Sequence, residues 1–332
     1  MRAVLCLAAL LAFQDAPPPI GLVEVYGLRH VAEAPVRRAV DLQAGDAFPE
    51  NTTEIVGRIE RVPGVAEARL NGVCCNDGRM VLFVGIRETG TAGTTFRPAP
   101  RGIARLPDDI VKAGADFEQS FMAAVTRGDA DEDRSRGYSL MKDPATRAIQ
   151  ERFPAFAARD QPLLKTVLRE SSDASARALA AQVMGYAPDK ASVVDDLVAA
   201  MQDASAEVRN NAMRALALFA QYAQEHPSAH LQVPSAPFVD LLNSIDWPDR
   251  NKSSAALLQL TEGRDPALMK ELRDRALDSL IEMARWKSEG HSYMPFFILG
   301  RVAGMTEEAI TAAWERKDSE ALIRIVRQGG RQ

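Results

Sequence analysis

The hydrophobic pattern changes character along the chain, first strand-like and then helical. Leu22-Val23-Glu24-Val25-Tyr26 alternates like a short strand and is closed by Gly27. Residues 36–40 begin a short helix after Pro35. Asn51-Thr52-Thr53-Glu54 forms a capping box ahead of Ile55, Ile59 and Val62, which share one helical stripe that ends at Pro63-Gly64. Val65, Ala68 and Leu70 open a second strand, Asn76-Asp77-Gly78 makes a turn, and residues 80–86 return as a third strand. Residues 20–88 therefore predict one compact unit in the order β-α-α-β-β.

Residues 89–107 are rich in Thr, Gly and Pro without a sustained period, and predict a linker or a loop draped on the surface. From Asp108 the pattern is helical. Ile110, Ala113, Phe117, Phe121 and Val125 fall on one helix face within a connector over 108–158. A helix pair then repeats across 159–304, and a closing helical cap follows at 305–332. Its second helices open with Asp173 before Arg177, with Asp203 before Val208-Arg209, and with Asp246-Trp247-Pro248-Asp249-Arg250. Arg177 to Arg209 is 32 residues and Arg209 to Arg250 is 41, an irregular period within the range of helical solenoids. Each Asp can cap the N–H groups of the helix it precedes, and the small Ala positions allow close helix packing.

Two resemblances follow from these residues. Val23-Glu24-Val25-Tyr26-Gly27, Leu42-Gln43-Ala44-Gly45-Asp46-Ala47-Phe48, Ile59-Glu60-Arg61-Val62-Pro63-Gly64-Val65 and Ile86-Arg87-Glu88 together resemble a polypeptide-transport-associated (POTRA) domain. That resemblance implies a periplasmic module that contacts other chains, often by pairing strands at a free sheet edge. The single module, with no barrel-like run of strands after it, argues against outer-membrane insertion. The Asp-x-x-x-x-Val-Arg-x-x-Ala-x-x-Ala-Leu pattern beginning at Asp203 resembles HEAT repeats, including the short form of phycobilisome-lyase-like proteins. Lyase activity fits poorly with export and with the lack of a suitable Cys in the repeats. The expected fold is mostly α: a HEAT-like α-solenoid preceded by a small α+β, POTRA-like domain.

Composition narrows the setting. A net charge of −5 gives no general grip on nucleic acid. Met1-Arg2 followed by the apolar residues 3–13 reads as a Sec-type signal peptide over 1–16. The apolar run reaches only about half of a ~30 Å hydrocarbon core, so no stable membrane span is expected. The expected location is secreted or periplasmic, in a Gram-negative bacterium. After signal removal Cys74 and Cys75 remain, as a vicinal disulfide, an intermolecular link or two buried thiols.

Candidate chemistry is sparse. Asp129-Ala130-Asp131-Glu132-Asp133 alternates like a calcium loop but has Arg134 and Leu140 where Gly and Glu are needed, so it predicts a solvated acidic loop. His226 and His230 lie in a Pro-rich loop without a third ligand. Glu282, Arg285, Trp286, Lys287 and His291 form the richest polar cluster, in which Glu282 and Arg285 could pair at i,i+3 and His291 could act as an acid–base group or cap a helix. Asp249, Arg250 and Lys252 form a charged helix start that could face a groove. No nucleophile, metalloprotease, P-loop or dinucleotide motif is present, and no cofactor is implied. The expectation is a non-catalytic scaffold for a protein or peptide partner, with Arg177, Arg209 and Arg250 as a charged ladder along the stack. The competing readings are an envelope enzyme using Glu282, Arg285 and His291, and a chaperone for outer-membrane clients.

Overall fold

A computed structural model describes residues 18–76 and 78–329. The expected signal segment lies outside the described residues. Strand β1 (Ile20–Tyr26), helices α1 (Glu33–Val40) and α2 (Thr53–Glu60), and strands β2 (Val65–Asn76) and β3 (Arg79–Glu88) form the N-terminal unit. The sheet order is β1-β3-β2, with β1 parallel and β2 antiparallel to the central β3. Alternation along β3 explains the packing: Leu82, Val84 and Ile86 pack with Val36, Val40, Ile55 and Ile59, while Val81 and Phe83 face the helical array. Both faces of β3 are thus buried, which accounts for its near-continuous apolar run. Gly85 permits the close approach, since a Cβ there would lie 2.0 Å from the Ile245 carbonyl.

Residues 89–107 cross the array as an extended strap. The Arg97 N–H bonds the Gln202 carbonyl at 2.7 Å, and Gly102 bridges Ser171. Helix α3 (Asp108–Thr126) follows, then a small hairpin of β4 (Glu132–Asp133) and β5 (Leu140–Met141), then α4 (Pro144–Gln150) and α5 (Phe153–Arg159). The hairpin corrects the purely helical reading of the connector. It also corrects part of the solvated acidic loop: Asp129 and Asp131 are exposed as expected, but Glu132 is paired with Arg134 and Arg214, and Asp133 with Arg147. Burial would raise the Glu132 carboxyl, but Arg214 and Arg134 hold it below its ordinary range.

The array consists of α6 (Gln161–Glu170) with α7 (Ala174–Met184), α8 (Ala191–Ala200) with α9 (Ala206–Glu225), and α10 (Ala236–Leu241) with α11 (Trp247–Leu260). A fourth unit has α12 (Pro266–Arg275) and α13 (Leu277–Ala284), broken at Ala276, before α14 (Glu289–Val302). Helices α15 (Glu307–Glu315) and α16 (Ser319–Gly329) close the end. The second helices α7, α9, α11 and α14 pack successively against one another, so their apolar stripes form one continuous core. Asp173 caps α7 by accepting from the Ser175 and Ala176 N–H groups. No helix among the described residues is long and apolar enough to cross a membrane. Cys74 is exposed and disulfide-bonded, which removes the buried-thiol alternative for that residue.

Candidate interaction site

The arginines that open α7, α9 and α11 occupy equivalent places, each side chain at most 2% exposed. Each reaches back six residues to a carbonyl of the turn before its own helix: Arg177 to Ser171 at 2.8 Å, Arg209 to Asp203 at 2.9 Å and Arg250 to Ser244 at 2.6 Å. Each also reaches forward to an acid of the following unit. Arg177 grips Asp203 through bonds of 2.9 and 2.8 Å. Arg209 makes two bonds of 2.9 Å to Asp249 and one of 2.7 Å to Asp246. Arg250 bonds Glu282 at 2.7 Å. Desolvation pushes the Asp249 carboxyl up, while Arg209 and the Ser244 hydroxyl pull it down.

The N-terminal segments cover this ladder. Phe96 of the strap lies over the Arg209 guanidinium, 3.6 Å from ring centre to carbon, and Tyr26 lies over Arg250 at 4.5 Å. The Tyr26 hydroxyl donates to the Ile245 carbonyl at 2.6 Å. Glu282 joins the two units, accepting from the Gly27 N–H at 2.7 Å as well as from Arg250. Glu24 accepts from the Lys287 N–H at 2.6 Å, and its carboxyl is raised by burial. An aromatic cluster of Tyr26, Phe83, Trp247, Trp286 and His291 fills the junction.

The polar cluster read from the sequence does not converge. Glu282 turns to Arg250 rather than to Arg285, which pairs with Glu320 on α16. His291 rests between Phe83 and Trp247, with Nδ1 2.7 Å from the Ser288 hydroxyl. Burial, reinforced by the Lys252 charge, pushes the His291 imidazole down to about 4. His226 stacks on Tyr222, and His230 is exposed.

Lys252 faces a groove of about 340 Å³ beside the ladder. Its floor comes from α7, α9 and α11, including Gln182, Asn210 and Arg214; Phe117 and Phe121 of α3 and Tyr138 of the hairpin wall it. The Arg214 guanidinium meets Glu132 and the Ser139 hydroxyl. The charged helix start read from the sequence does face a groove, but only through Lys252, since Asp249 and Arg250 are buried in the ladder. The groove's walls were missed because they lie far from its floor in the chain. A second cleft of about 640 Å³ lies between the strap, the sheet and the ladder, lined by Arg29, Arg69, Arg87 and Asp246 among others. Its charges are largely spent on one another, since Arg69 and Arg87 both pair with Glu67 and Arg69 also reaches Asp246.

A family model of HEAT repeats matches residues 162–232, which span the two pairs α6–α7 and α8–α9. The helical array is a HEAT-like solenoid. Among solved structures, a designed armadillo repeat protein in complex with the peptide (KR)4 is 16% identical, with 55% of this chain covering 86% of that one at a TM-score of 0.37. An engineered protein is 17% identical over 68% of this chain and 98% of its own, with a TM-score of 0.37. Computationally designed armadillo repeat proteins for modular peptide recognition give 17% identity over 67% and 96%, again at 0.37. Comparison with curated proteins gives no match.

Proposed function

We propose that this chain is an extracytoplasmic, non-catalytic scaffold that holds a protein or peptide partner on the HEAT-like array, with a POTRA-like module docked against it. The observation that carries the reading is the groove at Lys252, where aromatic and polar side chains stand open on the second-helix layer. The sheet edge at β1 is a poorer site for strand pairing. Gly45 and Asp46 already bond Ile20, and Arg37 takes the Val23 carbonyl. Export is supported by the leader-like residues 1–16 and by the exposed disulfide at Cys74, which suits an oxidising compartment.

Photo-crosslinking in envelope extracts tests the scaffold reading. A photoreactive residue at Asn210 should capture a defined partner, whereas one at the exposed Lys270 on α12 should not. Equal capture at both positions, or none at Asn210, would sink it. N-terminal sequencing of the exported protein checks the leader, and retention of residues 1–16 would refute processing.

A further inference from the structure

The groove at Lys252 combines an open cation with aromatic walls, and its charge is uneven. Its lining carries two basic residues, Arg214 and Lys252, and three acidic ones, Glu118, Glu132 and Glu207. At the Lys252 end the balance reverses. The charged groups acting on Lys252 are Arg214 of α9 and Arg134 and Glu132 of the hairpin, with the neutral His291 of α14 behind it. Glu132 is already engaged by both Arg134 and Arg214. No hydrogen bond or ion pair to Lys252 occurs among the described residues, although the residue is half-buried. A shielded ammonium without a counter-ion is costly, and the cost falls when an anion enters. The walls of Phe117, Phe121 and Tyr138 offer apolar surface next to that charge.

Resting on the scaffold reading above, we propose that this groove binds a peptide through one carboxylate side chain, seated between Lys252 and Arg214, with the adjoining apolar residue against Phe117, Phe121 and Tyr138. Charge complementarity selects the class: the local excess at Lys252 attracts an anion, while Glu118 and Glu207 in the same lining disfavour a dianion or a run of acids. A volume of about 340 Å³ is at the small end of ligand sites, enough for a side chain and its neighbour rather than a long segment.

Burial, with Arg214 adding to it, holds the Lys252 amine down to about 8. A bound carboxylate favours the ammonium form, so binding takes up protons and affinity falls as pH rises through that range.

The test uses the full mature chain and three acetylated, amidated heptapeptides that differ at one position beside Phe: Glu, Gln or Lys. Binding is followed by fluorescence anisotropy. The Glu peptide should bind at least tenfold more tightly than the Gln peptide, and the advantage should vanish in Lys252→Met, persist in Lys252→Arg, and shrink between pH 7.5 and 9.5. Thermal melts confirm that both variants fold. Equal binding of the Glu and Gln peptides, a preference for the Lys peptide, or an unchanged advantage in Lys252→Met overturns the carboxylate assignment and leaves the scaffold reading standing. If no peptide binds while Asn210 still crosslinks a partner, the carboxylate assignment falls alone. If neither occurs, both fall.

Discussion

Arg209 and Asp249 meet through two bonds of 2.9 Å across forty residues of chain, both side chains removed from solvent. Arg209→Ala leaves Asp249 without its cation, so it should destabilise the fold by about 3–5 kcal/mol, the usual cost of breaking one partner from a buried pair. Arg214→Ala removes a 39% exposed guanidinium from Glu132, which keeps Arg134, and should cost about 1 kcal/mol or less. Chemical denaturation of both variants measures this, and similar midpoints would mean that the buried pair adds nothing special.

Glu282 and Arg285 lie one helical turn apart and should behave oppositely. Glu282→Ala strips the counter-ion from Arg250 and an acceptor from Gly27, with an expected loss of about 3 kcal/mol or more. Arg285→Ala breaks only an exposed pair with Glu320, so its effect should stay within about 1 kcal/mol. Thermal melts under identical conditions decide it. A harmless Glu282→Ala would detach the N-terminal unit from the ladder energetically.

The pH dependence at the junction has a definite sign. His291 binds its proton less tightly when folded, at about 4, than a free imidazole at about 6.5. The unfolded chain therefore takes up more protons between those values, and stability should fall as pH drops from about 6.5 toward 4. Glu24, raised by burial, opposes this trend, since its folded form holds a proton more tightly. His291→Phe keeps a ring against Phe83 and Trp247 and should flatten the fall. An unchanged acid slope in that variant would assign the effect to other groups.

The strap and sheet cover residues that the array would otherwise expose. Residues 159–332 expressed alone should still melt cooperatively, because the repeats bury their core against neighbours. Trp286, 6% exposed in the whole chain, should then become solvated, with red-shifted emission and a lower melting temperature. Unchanged emission and melting would show that the N-terminal unit contributes no packing.

How far the sequence reveals this arrangement depends on the range of each interaction. Helix starts and the three arginines are visible because Asp173, Asp203 and the Val208-Arg209 step act within one turn of local chain. The β-α-α-β-β order is visible because alternation and the Pro63-Gly64 and Gly78 stops are local too. The aromatic covers are not. Phe96 lies 113 residues before Arg209 and Tyr26 lies 224 before Arg250, and nothing in either local pattern marks a partner. The same holds for Glu132 and Arg214, 82 residues apart. The suggested Glu282–Arg285 pair illustrates the opposite error, in which helical adjacency permits a pair but stronger partners across the fold, Arg250 and Glu320, take both residues.

The six-residue reach from each arginine to its own turn has a consequence for how such an array changes length. The backward bond is fixed locally, while the forward bond needs only an acid near the start of the next second helix, at 26 residues for Arg177 and at 40 for Arg209. Insertions between units are therefore tolerated without disturbing either bond, as the longer α9, of 20 residues against 11 for α7, and the loop after it already are. Duplicating or excising one unit, cut at equivalent turns, would carry its own carbonyl and its own acid and leave no guanidinium stranded. A cut between an arginine and its own turn, within 171–177, 203–209 or 244–250, would orphan one.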